Sequence, residues 1–288
     1  MTIDRDAALG ATPRTREISW TERDVILYHL GVGAGTHPLD PQDLAWCYEK
    51  QLAVLPTFAV VAGQGVSSGA RGAPSMALPG IDVPLASLLH AGQRLDVHAP
   101  IPASGTARIE SRVAEVWDKA KAAVVVLEDH AHGEDGPLWT SRSQIWMRGE
   151  GGFGGPAGPG STDEIPEREP DAVVETPTAP GQAALYRLSG DLNPLHIDPA
   201  FAAAVGFDRP ILHGLATYGI VCRGVVEDIA EGKAARVRSW SVRFAGPVIP
   251  GETLRTAVWR DGDGLTLRTS IAGDPDRIVL DRCRMELS

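Results

Sequence analysis

Tyr186-Arg-Leu-Ser-Gly-Asp191-Leu-Asn193-Pro-Leu-His196-Ile-Asp198-Pro-Ala-Phe-Ala202 is the stretch that decides the fold, and it runs on to Gly206-Phe-Asp-Arg-Pro-Ile-Leu-His213-Gly214. Ser189-Gly190 closes a short helical segment. Asp198-Pro199 opens the next, with Asp as N-cap and Pro at the first helical position. The loop between them is therefore anchored at both ends. Leu212 to Ala230 then reads as a long apolar helix, stopped by Glu231-Gly232. Strand character follows in Val237 to Ala245, Thr253 to Arg260, Leu265 to Ile271 and Ile278 to Leu287, several alternating apolar and polar residues. One helix followed by antiparallel strands is an α+β plan, with the helix packed on the sheet.

The same order occurs earlier in the chain. Leu27-Tyr28-His29-Leu30 leads to Pro56-Thr-Phe-Ala-Val-Val, as Leu185-Tyr186-Arg187-Leu188 leads to Pro210-Ile-Leu-His-Gly-Leu. Ala99-Pro-Ile-Pro102 recurs as Gly246-Pro-Val-Ile-Pro250. First-half strands are expected at Gln93 to His98, Gly105 to Trp117, Ala122 to His130 and Leu138 to Arg148. So long a period is whole-domain duplication, because solenoid repeats are far shorter. Gly149 to Pro180 lacks hydrophobic period and reads as a linker. The expected division is residues 1–150, a linker 151–180, and residues 181–288.

Of 288 residues, 43% are hydrophobic and 22% charged, a globular rather than disordered composition. No apolar run approaches a membrane span, and Met1-Thr-Ile-Asp lacks signal-peptide order, so neither membrane nor export is expected. A net charge of −10 argues against nucleic-acid binding, which needs a basic face. Three scattered cysteines form no C-x-x-C pair, so a disulfide framework and a zinc site have no support and a reducing, cytoplasmic setting is expected.

The chemistry sits in the quoted loop. A carboxylate and an imidazole five residues apart, Asp191 and His196, can converge on one water for acid–base work near neutral pH. Gly214 opens the long helix, where backbone N–H groups lack intrahelical partners and favour a developing oxyanion. Read singly, Asp191 is also a common turn residue and His196 a common buried one. Asn193 suits turn chemistry before Pro as well as catalysis, and His213 suits orienting the helix start.

Residues 186–214 together resemble the hydratase 2 motif of the MaoC-like (R)-specific enoyl-CoA hydratases. Tyr28-His-Leu-Gly-Val-Gly-Ala-Gly, Leu89-His90-Ala91-Gly-Gln93, Asp118-Lys119, Arg148-Gly-Glu-Gly-Gly-Phe-Gly-Gly and Val242-Arg-Phe244-Ala-Gly-Pro extend the resemblance over residues 15–288. It implies a double hot-dog, each half a curved antiparallel sheet wrapped around a long helix. It implies reversible hydration of (2E)-enoyl-CoA to (3R)-3-hydroxyacyl-CoA, with Asp191 and His196 catalytic, Asn193 supporting and Gly214 binding the thioester. His90, Ala91, Lys119 and Phe244 fall where family members contact acyl-CoA; the family's usual glycine is Ala91 here. No metal or other cofactor is implied, and a homodimer is. Other enzymes of this fold open two alternatives, an acyl-CoA thioesterase and a non-catalytic acyl-CoA-binding protein. CoA is anionic, so affinity must come from local cations, Lys119 foremost.

Aligning the repeats sets Gly33 opposite Asp191 and Pro38 opposite His196, so the first half lacks the pair. It is expected to accommodate the acyl chain, with Gly31, Gly33, Ala34 and Gly35 leaving room. Three weaker motifs are set aside. Gly31-Val-Gly-Ala-Gly35 is not a dinucleotide fingerprint, Gly65-Val-Ser67-Ser-Gly69 has no nucleophile-elbow context, and His130 with His132 lacks a third ligand.

Overall fold

Alternation of apolar and polar residues produces antiparallel strands in both halves. The structure is a computed structural model that describes residues 3–63, 75–84, 87–160 and 164–288. In chain order, the first half has α1 (Arg5–Leu9), β1 (Arg14–Trp20), α2 (Glu22–Gly31) and α3 (Pro41–Cys47). A 3₁₀ turn at Pro56–Val60 follows, then β2 (Ser75–Leu78), β3 (Ile81–Pro84), β4 (Leu88–Val97), β5 (Gly105–Asp118), β6 (Ala122–Gly133) and β7 (Gly136–Arg148). The second half has β8 (Ala172–Pro177), α4 (Gln182–Tyr186), α5 (Pro199–Ala204), α6 (Gly214–Asp228), β9 (Val237–Phe244), β10 (Thr253–Asp261), β11 (Gly264–Ile271) and β12 (Asp274–Leu287). The eight expected strands all form.

Ten strands make one antiparallel sheet in the order β1-β5-β6-β7-β4-β9-β12-β11-β10-β8. Read inward from either end, the order is the same, so the sequence repeat reappears as topology. The halves meet where β4 pairs with β9, Gly92 opposite Arg243 through Asp96 opposite Ser239.

Helix α6 lies at the centre. Eleven of its residues, from Ala216 to Val226, are buried, and it ends before Glu231 and Gly232, both in the left-handed region. One contiguous core joins it to Trp20, Tyr28, Trp46, Phe58 and Trp139 of the first half and Trp240 of the second. A second cluster, Ile81, Val83, Ala123, Val125 and Met147, packs β2 and β3 on the other face of the first-half sheet. Covering both faces explains why Ala122–Leu127 is a continuous apolar run rather than an alternating one.

Two expectations are corrected, and a third is not met among the described residues. The stretch 151–180 is not all linker, because Ala172–Pro177 pairs with β10 as an edge strand; its Val174 and Thr176 are buried, and this two-residue alternation was masked by flanking prolines. Among the described residues the first half has no long central helix. Residues 56–60, which align with the approach to α6, form a 3₁₀ turn beginning at a proline, and most of the stretch aligned with α6 itself lies outside the described residues. The small residues Gly31 to Gly35 do not line an open channel. A Cβ at Gly31 would lie 3.2 Å from the Tyr186 Cα, and Gln182 Nε2 donates to the Leu30 and Gly31 carbonyls, so α2 packs hard against α4. Gly65–Gly69 lies outside the described residues.

Candidate active site

The loop between α4 and α5 is built from its own polar residues. Gly190 adopts φ 129° as the chain leaves the helix. The Asn193 N–H donates to Asp191 Oδ1 at 3.0 Å, and the Leu195 N–H to Asn193 Oδ1 at 3.0 Å. Asp198 caps α5 by accepting from the Ala200 N–H at 2.8 Å. Asn193 is thus committed to holding the turn that presents His196.

His196 is buried, and its Nδ1 donates to the Ile211 carbonyl at 2.8 Å. That bond fixes the tautomer and leaves the Nε2 lone pair facing the Asp191 carboxylate, 4.0 Å away and half exposed. Burial pushes the His196 pKa down, while the Ile211 bond and the Asp191 charge oppose it. The imidazole is therefore neutral in ordinary buffer and able to accept a proton.

His213, the N-cap of α6, packs behind this pair. Its Nε2 donates to the Asp191 main-chain carbonyl at 3.2 Å, and its ring stacks on His196 with centroids 3.7 Å apart. Burial, reinforced by His196, drives its pKa down to about 3. Asp191, His196 and His213 bring potential ligand atoms within 4.8 Å of one another. The rings are stacked only 30° from parallel, however, and a metal must lie near the plane of each imidazole, so their lone pairs do not converge on one ion. Elsewhere, His130 is bound to Glu128 and Thr140 rather than grouped with His132.

Gly214 is the first residue of α6, so its N–H has no intrahelical acceptor. A Cβ there would lie 3.3 Å from the Phe244 ring. Phe244 in turn packs on His90, ring centroids 4.8 Å apart. His90 Nε2 is buried without a hydrogen-bond partner, and burial lowers its pKa to about 4, opposed in part by the charge of Asp191. Four elements thus bring Asp191, Asn193, His196, Gly214, His90 and Phe244 to one place. Ala91 is the extra residue of a β-bulge between His90 and Gly92. Lys119 does not join the cluster. It sits in the β5–β6 turn, separated from β4 by β6 and β7, with its ammonium 5.3 Å from the Trp117 ring centroid. Beside it, Asp118 accepts from the Gly152 and Gly154 amides and ties down the glycine-rich segment. His213 and Tyr186, whose rings lie 4.9 Å apart, complete the buried wall. His213 was read in the sequence only as a helix-start residue; its stacking on His196 had no local signal.

A double hot-dog enzyme class is what this sheet, helix and loop define. Residues 161–274 match the MaoC-like domain, and residues 18–149 match the MFE-2 hydratase 2 N-terminal domain. The chain is 50% identical over 281 residues to the enoyl-CoA hydratase ChsH3 of Mycobacterium tuberculosis, covering 97% of each chain. It is 42% identical to the 3-hydroxyacyl-thioester dehydratase Y of the same organism, covering 98% of this chain and 97% of that one. A crystal structure of a MaoC-like dehydratase from Phytophthora capsici superposes with TM-score 0.87 at 29% identity, covering 98% of both. The chain belongs to the MaoC-like, hydratase 2 family of hydro-lyases. Among the described residues no helix is long and apolar enough to cross a membrane.

Proposed function

We propose that this protein reversibly hydrates (2E)-enoyl-CoA to (3R)-3-hydroxyacyl-CoA. The observation that carries the reading is the facing pair. Asp191 Oδ2 and His196 Nε2 stand 4.0 Å apart, too far for a direct hydrogen bond and suitable for sharing one water. In the hydration direction one of the two takes a proton from water as its oxygen bonds to C3. The other, which enters the step carrying the single proton of the pair, gives it to C2 from the same side, and transfer of the abstracted proton between the two then restores the pair. Electron density moves from the double bond toward the thioester oxygen, and the unpaired Gly214 N–H at the positive end of α6 stabilises that charge. Asn193 holds the turn, while His90 and Phe244 wall the thioester region.

Lys119 offers a cation to the CoA phosphates from the β5–β6 turn, and no cofactor beyond the substrate's own CoA enters the scheme. The first half, residues 1–150, offers no acid–base pair at Gly33 and Pro38 and serves to hold the acyl group. The family relationship supports this reading, and a cytoplasmic homodimer goes with it; a single-chain mass by sedimentation contradicts the dimer.

The test is incubation with crotonyl-CoA. The expected result is loss of the conjugated thioester absorbance without release of thiol. Asp191→Asn and His196→Gln are each expected to lower the rate by about 10²–10⁴-fold. Near-normal rates in both variants overturn the assignment, and thiol release points instead to thioester hydrolysis.

A further inference from the structure

We propose that the cavity between the first-half sheet and the start of α6 binds an acyl group carrying a hydrogen-bonding oxygen, hydroxyl or carbonyl, remote from the thioester. The inference rests on the hydratase reading only for the position of the thioester. The cavity is about 130 Å³, and Leu215, the residue after Gly214, is among the residues that line it. That is close to the size of a buried cavity of about 150 Å³ that accepts benzene.

A cavity that merely held a saturated tail would be lined by apolar side chains, because each unpaired polar group on its wall costs free energy. Here Gln93, Ser141 and Ser143 form one wall. Ser143 stands directly opposite Gln93 in the β4–β7 ladder, and Ser141 lies two residues before it on the same face. Gln93 is 2% exposed. Its Nε2 donates to the Arg94 carbonyl at 3.2 Å, which sets the amide orientation, and to Ser141 Oγ at 2.8 Å. Ser143 Oγ donates to Gln93 Oε1 at 2.8 Å. The consequence is asymmetric. Ser141 accepts from the amide and keeps its own proton to give, whereas Ser143 gives its proton and keeps lone pairs. One serine is left as a donor and its neighbour as an acceptor, which matches a hydroxyl twice and a carbonyl once.

The wall is continuous with the reacting end. The bulge between His90 and Gly92 returns the Gln93 side chain to the face of His90, close enough that it offsets part of the fall in the His90 pKa. At the rim, Arg16 and Asp129 approach to 3.9 Å and are both half exposed, so the outer end of the cavity is also polar.

The experiment compares two enoyl-CoA thioesters of equal chain length, one plain and one with a terminal hydroxyl, on the wild type, Ser141→Ala, Ser143→Ala and Gln93→Leu. The readout is the ratio of kcat/KM for the two substrates, which does not depend on the folded fraction. We expect the wild type to favour the hydroxylated substrate by about tenfold or more, as one or two hydrogen bonds supply. Each variant is expected to bring the ratio close to one. A wild-type ratio near one, or variants that lower both substrates equally, overturns the proposal. Calorimetric titration with the corresponding saturated acyl-CoA pair is run in parallel. If neither enoyl thioester is hydrated, the hydratase reading has failed, and the ratio of the two dissociation constants still decides the cavity's preference.

Discussion

His196 shows how one side chain acquires a role from its surroundings. Its Nδ1 is occupied by a main-chain carbonyl, its face by His213, and only Nε2 remains open toward Asp191. Burial favours the neutral ring, so the acid limb of kcat/KM, read from a pH profile, is expected below the ordinary histidine value of about 6.5. The sign is fixed by the direction of the shift. Lowering pH places a proton on both members of the pair and leaves no acceptor, so activity is retained at mildly acidic pH and lost further down. An acid limb above pH 7 contradicts the description of a buried, neutral imidazole. The motif made Asp191, His196 and Gly214 legible, because their loop and helix start are set by adjacent residues: Gly190, Asn193-Pro194 and Asp198-Pro199. His90 and Phe244 came only from the family pattern, because they reach the site from separate strands. Lys119 followed the pattern but lies apart in the fold, and its role depends on a ligand long enough to span the distance.

Among the elements, strands with one buried face were readable and those at the edges were not. β9 to β12, β4, β5 and β7 carry alternating segments and β6 a continuous apolar run, and their expected and observed bounds differ by only a few residues. β1 is exposed over its first four positions and β8 is short, so neither carries much pattern. The first-half helix expected by analogy with α6 is not met among the described residues: Pro56–Val60, aligned with the approach to α6, forms a tight 3₁₀ turn, and residues 64–74 beyond it lie outside the described residues. The junction of α2 with α4 yields a prediction at this scale. Gly31→Val drives a branched side chain into the Tyr186 backbone, and chemical denaturation is expected to register a loss of about 1–3 kcal/mol. Unchanged stability would mean that the two helices do not approach as closely as described.

At the scale of the molecule, the halves share one sheet, one core and one buried charge cluster. Arg223 of α6 donates through Nε to the Val32 carbonyl at 3.1 Å and through Nη1 to both carboxylate oxygens of Glu227 at 2.7 Å. Trp46 of the first half donates to the same Glu227 at 2.8 Å. Glu227→Ala leaves the buried guanidinium without its counter-charge, and a loss of about 3–5 kcal/mol in a single cooperative transition is expected by calorimetry. Two separated transitions in the wild type would contradict a shared core. The central claim is that one loop carries out both proton transfers of the reaction, from the water and to C2, on one side of the substrate. Hydration of crotonyl-CoA in deuterated water, with the product resolved by NMR and chiral chromatography, tests it most directly. The account predicts (3R)-3-hydroxybutyryl-CoA with deuterium at C2 on the same face as the new hydroxyl; a (3S) product, or deuterium on the opposite face, contradicts it.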